Sequence, residues 1–254
     1  MGDDLDASWA RVGPRVALLT ASAQAGAARS GDDYVAAVLE EQGRAPKVEA
    51  RTNPRGLVGV ASDGRSLDGL LYSAVIEARS AKVESLSERL RVGGLWLGQI
   101  VQTQVSDAAR DAAKVAMAVR PGVKYVRMVN PPCCQRCAVL AGRFYKVEGF
   151  LRHPRCDCFM IPSTVAQPNG FGQSVEPGDI KDLTKAQRRA IDEGADMNRV
   201  INSHRAGKRS KDGLTTTEAA GRKRGRLTPE GIYRRAGDDR DKALRLLKEH
   251  GYLR

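Results

Sequence analysis

Cys133-Cys134-Gln135-Arg136-Cys137 and, further on, His153-Pro154-Arg155-Cys156-Asp157-Cys158 bracket the stretch that decides how this chain folds. All five cysteines fall inside it, so thiol chemistry or a thiol-held local structure is centred there. The hydrophobic period also changes there. Before it, apolar residues recur at the 3–4 spacing of helix faces. Around it, Val123-Lys124-Tyr125-Val126-Arg127-Met128-Val129, Arg143-Phe144-Tyr145-Lys146-Val147 and Cys158-Phe159-Met160-Ile161 are short β-prone runs, the last ending at Pro162. Asn130-Pro131-Pro132 turns the chain between the first run and the cysteines. The implied class is α+β, mainly α. A helical N-terminal region covers 1–120, a Cys/His β-module 121–165, a linker 166–180 and a basic helical C-terminal region 181–254. Strands this short bury too little apolar surface to stand unaided; a bound metal or docking on helices supplies the rest.

Upstream, Trp9, Val12, Val16, Leu19 and Ala23 share a helix face that Gly13-Pro14 is expected to break or kink. A second helix is predicted from Asp32 to a glycine cap at Gly43, and 44–65, rich in proline and glycine turn signals, reads as loop. Ser66 caps a helix whose Leu67, Leu70, Leu71, Ala74, Val75 and Ala78 make an unbroken apolar face. A longer pattern runs from Leu86 through Leu90, Leu97, Ile100, Ala108, Ala112 and Val115 to Val119; Gly93-Gly94 is a candidate bend and Pro121-Gly122 the stop. Downstream, Thr184 and Gln187 form a capping-box signature for a helix closed by Gly194. Residues 205–226, rich in Lys, Arg, Gly and Thr, read as flexible. Thr228-Pro229 opens one more helix and Asp238/Asp239 caps a last one ending at Gly251.

The formal charge of +12, with a pI near 9.8, predicts attraction to a polyanion, of which nucleic acid is the commonest. Only 5% of residues are aromatic, which favours slim, alanine-rich helices over a thick core. No run reaches the roughly 18 apolar residues that span a bilayer, and Met1-Gly2-Asp3-Asp4 is unlike a signal peptide. The expected setting is the cytosol, with no membrane partner. Clustered cysteines there are ligands or reduced thiols rather than a disulfide framework, which five cysteines cannot complete.

Cys134-x2-Cys137 is the spacing by which one tight turn presents two thiolates to a single ion, and His153-x2-Cys156 offers a second half-site. Cys134, Cys137, His153 and Cys156 make a tetrahedral N/S set for one structural zinc, with Cys133 and Cys158 as alternates. The competing reading is a cluster of reduced, buried thiols. A Cys156–His153 nucleophile–base pair, oriented by Asp157 or Asn130, needs side chains that residues three apart on a strand or turn seldom aim at one another. With His153, His204 and His250 the only histidines and no Gly-x-Ser-x-Gly, a serine triad has no support.

Cys134-Gln135-Arg136-Cys137-Ala138-Val139-Leu140-Ala141-Gly142-Arg143-Phe144, followed by His153-Pro154-Arg155-Cys156-Asp157-Cys158, resembles the signature of phage Mu F-like head-morphogenesis (minor capsid) proteins. In that signature a C-x2-C pair precedes a Leu-x-Gly turn and a strand, and His-Pro-x-Cys-x-Cys closes the module. The whole chain is similar to the version in phages of actinobacteria, including Phe150 to Cys158 and the tail Leu227-Thr228-Pro229-Glu230-Gly231-Ile232-Tyr233. The resemblance implies a minor procapsid protein associated with the portal and with major capsid or scaffold proteins. It would act in head assembly or DNA packaging, in the host cytoplasm and then inside the procapsid or virion head, with no small-molecule substrate. Relatives of that version are labelled capsid maturation proteases, so the resemblance also implies that activity as an alternative, with no catalytic residue assigned.

Lys208, Arg209, Lys211, Arg222, Lys223, Arg224 and Arg226 form two cationic runs in a glycine-rich setting. They suit a salt-sensitive, sequence-independent contact with DNA phosphates, against the plainer reading of a solvated tail. No aromatic residue is interleaved among them, which argues against base stacking. A third reading is a zinc-knuckle DNA-binding protein.

Overall fold

The structure, a computed structural model, describes residues 4–145, 156, 158–165, 173–203, 207–210, 213–216 and 226–253, with backbone only for 207–210, 213–216 and 226. The fold is α+β and mainly α, as the periodicities predict. The chain forms two compact units: Met1–Met128 with Gly142–Gly172, and Val129–Ala141 with Gln173–Arg254.

The first unit opens with α1 (Leu5–Arg29) and α2 (Gly31–Glu41), then a loop with one 3-10 turn, α3 (Leu67–Ser80) and α4 (Leu86–Ala118). Asp4, Ser66 and Ser85 cap α1, α3 and α4, each side chain accepting a backbone N–H three residues on. α1 is continuous through Gly13-Pro14, so of the expected break or kink the break does not occur. Proline removes one helical hydrogen bond, but Leu5 and Trp9 before it, and Val16, Ala17 and Ala21 after it, all pack into apolar clusters with α3 and α4. Packing on both sides holds the helix together. α4 likewise continues through Gly93-Gly94. Gly93 serves close approach: a Cβ there would sit 2.8 Å from the Ala74 carbonyl oxygen.

The 44–66 loop is tied down by two glutamines presented from helices. Gln24 donates to the Val60 carbonyl and accepts from the Gly59 N–H, both at 3.0 Å. The Gln104 side-chain oxygen accepts from the Ser62 N–H at 2.8 Å. A buried ion pair joins Arg120 to Asp32, which also accepts from the Thr52 N–H.

The strands of this unit are β1 (Lys124–Met128), β2 (Phe144–Tyr145) and β3 (Phe159–Ser163), antiparallel in the order β2-β1-β3. β3 does not end at Pro162: Pro162 pairs with Tyr125 and Ser163 with Lys124. β3 is an edge strand in that order, where a missing N–H is tolerated. Tyr125 and Met160 from the sheet join Val35, Leu39, Ala113, Ala116 and Met117 from α2 and α4 in one core. Tyr34 donates its hydroxyl to the Met160 carbonyl, fixing α2 to β3.

The second unit holds α5 (Gln135–Ala138), α6 (Lys185–Asp192), α7 (Met197–Asn202), α8 (Pro229–Ala236) and α9 (Arg240–Glu249). The Thr184–Gln187 capping box forms in both directions. Thr228 and Asp239 cap α8 and α9, with Pro229 at the first position of α8. α7, not anticipated from sequence, is capped by Asp196. Part of 205–226 is ordered sheet rather than flexible chain. β4 (Gly207–Ser210), β5 (Gly213–Thr216) and β6 (Arg226–Leu227) pair antiparallel in the order β4-β5-β6. Backbone pairing stabilises a strand whatever its side-chain composition, so low apolar periodicity misled the reading here. Ala190, Val200, Leu227, Ile232, Leu247 and Tyr252 make the core of this unit.

Candidate metal centre

The Cys134–Cys137 knuckle belongs to the second unit. Cys133 is anchored by backbone alone: its N–H donates to the Asp179 carbonyl at 2.8 Å, and its carbonyl accepts from the Lys181 N–H at 3.0 Å. Cys134 then caps α5, its sulfur accepting the Cys137 N–H at 3.4 Å, as expected of a thiol-presenting tight turn. The Gln135 N–H donates to Asp182 at 2.6 Å, and Gln187 donates to the Gln135 side chain at 3.1 Å. Burial pushes the Cys133 thiol pKa up, and the neighbouring Cys134, Asp179 and Asp182 add to the shift. Cys133 is thereby kept protonated and poorly suited to nucleophilic work.

Cys156 and Cys158 lie in the first unit, just ahead of β3, where two arginines hold them. Arg110 of α4 donates through Nε to the Cys158 carbonyl at 2.8 Å and through Nη2 to the Cys156 carbonyl; its Nη1 pairs with Asp107 at 3.1 Å. Arg127 of β1 donates through Nη2 to the Cys158 sulfur at 3.2 Å. Arg127 stands opposite Met160 in the sheet and is 1% exposed.

In the first unit the sulfurs of Cys156 and Cys158 lie within 4.8 Å of one another and both residues are buried; Cys137 is buried in the second unit. At a zinc–sulfur distance of about 2.3 Å, tetrahedral sulfurs stand roughly 3.8 Å apart, so the Cys156–Cys158 separation fits two thiolates on one soft divalent ion. Of the four ligands expected from sequence, Cys156 is in this pair, with Cys158, an alternate, beside it; Cys134, which caps α5, and Cys137 lie in the second unit, as does the other alternate, Cys133, and His153 falls beyond the described residues. The sequence reading named neither arginine. The signal available was a charged residue on the apolar side of the alternation, Arg127 between Tyr125 and Val129.

The site suits binding better than attack on a macromolecular substrate, because a thiol nucleophile must be partly exposed whereas Cys137, Cys156 and Cys158 are 3%, 6% and 1% exposed.

Of the cationic residues, Lys208 and Arg209 lie on β4 and Arg226 on β6, the two edges of the β4-β5-β6 sheet. Lys211, Arg222, Lys223 and Arg224 fall outside the described residues. Among the described residues no helix is long and apolar enough to cross a membrane.

No family model, curated protein or solved structure matches the chain. Fold and site together define a mainly helical α+β protein with a pair of buried cysteines beside a small antiparallel sheet.

Proposed function

We propose that this chain is a head-morphogenesis protein of the phage Mu F-like kind: a minor capsid component that works beside the portal in head assembly or DNA packaging. The observation that carries the reading is the burial of Cys137, Cys156 and Cys158, which belong to the two halves of the signature, because burial suits a fastening rather than a reaction centre. In this reading the ion is one structural zinc. It is held by cysteines of the signature and steadies a small module with little apolar surface of its own. When bound, the ion supplies cohesion alone. The partners are the portal and the major capsid or scaffold protein. Packaged DNA is contacted through the cationic residues of 208–226, an arrangement that the +12 charge supports.

Quantitative composition of procapsids and mature virions tests the proposal. A few copies per procapsid are expected. Absence of the chain from both particles would sink it, and tight DNA binding by the free protein together with that absence would favour a zinc-knuckle DNA binder. Co-expression with the major capsid and scaffold proteins should leave both intact. Cleavage abolished by one point change that leaves the fold whole would replace this reading with a maturation protease.

A further inference from the structure

We propose that the outward face of α1, carrying Val12, Leu18 and Leu19 beside Arg11 and Arg15, is a docking surface for an acidic amphipathic helix of a partner protein. The apolar arc of α1 is wider than the surface that α3 and α4 cover. Trp9, Val16, Ala17 and Ala21 pack into the clusters with those helices. Val12, Leu18 and Leu19 turn away from them and are 52%, 70% and 61% exposed. One exposed leucine is ordinary, but three large apolar side chains on one face of one helix make a patch. Val12 and Leu19 stand seven residues apart, about 10 Å along the axis, and Leu18 lies beside Leu19. A partner helix presents its own apolar residues at the matching 3–4 spacing, whereas an extended segment needs a sheet edge to pair with, which a helix face does not offer. Charge selects the kind of helix. From Ala7 to Gly31 the chain has no Asp or Glu, while Arg11, Arg15 and Arg29 are exposed. The acids just before are engaged elsewhere: Asp4 caps α1, and Asp6 meets Tyr72 and Arg79 of α3. Among the described residues no carboxylate pairs with Arg11, Arg15 or Arg29. Carboxylates flanking the apolar stripe of a partner helix would meet Arg11 and Arg15 as Val12, Leu18 and Leu19 dock. A second copy, with the same arginines on the same face and a formal charge of +12, would set like charges against like.

The test uses the full-length chain and two labelled synthetic helices of about 20 residues, both with leucine at a and d, one with glutamate and one with lysine at the flanking positions. Fluorescence anisotropy reads binding. Wild type should hold the glutamate helix at least about 10-fold more tightly than the lysine helix. Leu18→Ser with Leu19→Ser should weaken the glutamate helix at least about 10-fold. Arg11→Glu with Arg15→Glu should reverse the preference. Binding of neither helix, equal binding of both, or a preference that survives the charge reversal overturns the proposal. Sedimentation and anionic phospholipid vesicles test the other occupants. A wild-type dimer that the leucine variant breaks, or vesicle binding that it abolishes, gives the face to a second copy or to a membrane surface and overturns the proposal as well. If the leucine variant loses helix by circular dichroism, the charge reversal decides alone.

Discussion

The hydroxyl of Tyr252 donates to the carbonyl of Leu227 at 2.6 Å, joining the end of the chain to the strand that leads into α8. Tyr252 is 1% exposed, and its own carbonyl accepts from the Asp196 N–H at the start of α7. One residue, through its side chain and its backbone, therefore ties the two segments to the chain's last turn. Tyr252→Phe should destabilise that unit by about 1–3 kcal/mol through an unpaired buried carbonyl, and Tyr252→Ala by about 3–5 kcal/mol through a cavity as well. Urea unfolding followed by fluorescence and circular dichroism checks both; a Tyr252→Phe variant as stable as wild type would contradict the hydrogen-bond role.

Gln24 and Gln104 act as clamps on the loop before α3. Each is nearly buried, and each amide satisfies backbone groups that the helices cannot. Gln24→Leu keeps the volume and strands the Gly59 N–H and Val60 carbonyl, so a loss of about 1–3 kcal/mol is expected. Amide hydrogen exchange should speed up at 59–62 while α1 stays protected. Unchanged exchange there would show that the loop is held by something else.

Tyr34 predicts an alkaline limb. Burial pushes its phenol pKa from an ordinary value near 10 up to about 12. The folded protein thus holds this proton over a range in which the unfolded chain releases it. Its contribution is fully present below pH about 10 and falls away as pH rises toward about 12. Tyr34→Phe should start lower, having lost the bond to Met160, and should show a flatter decline over that window. Unfolding midpoints measured from pH 8 to the alkaline limit of the fold compare the slopes; parallel curves would refute the assignment.

The cysteines predict an unequal series. Cys156→Ser and Cys158→Ser should each weaken zinc binding and lower the melting temperature of zinc-loaded protein, because their buried, neighbouring sulfurs suit one ion. Cys133→Ser should retain zinc, since Cys133 is anchored by its backbone and lies outside that pair. Chelator should destabilise wild type and leave the two ligand variants unmoved. Inductively coupled plasma analysis and calorimetry read out the series; loss of metal in Cys133→Ser alone would redraw the site.

Much of the architecture was legible because local rules decided it. Ser66, Thr184, Thr228 and Asp239 cap where a short polar side chain meets an apolar period, and the structure forms each of these caps. Errors arose where local and tertiary preferences opposed each other. Pro14 argues against helix, yet flanking residues packed on α3 and α4 outweigh one lost hydrogen bond. Pro162 argues for a strand end, yet on an edge strand its missing N–H costs the ladder little.

The same division runs through the site. By itself, the amino-acid sequence determined that thiol chemistry is concentrated between Cys133 and Cys158, that Cys134-x2-Cys137 makes a tight turn, and that β-strands replace helices around it. Those follow from residue type and spacing, which act over a few residues. Only the tertiary structure decided what each thiol meets. Cys156 and Cys158 stand side by side with Arg127 on the Cys158 sulfur, while Cys133 is turned into a backbone bridge with Ile180. Spacing limits which sulfurs can come together, but strand pairing and the arginines that hold Cys156 and Cys158, set by contacts far apart in the chain, decide the surroundings of each.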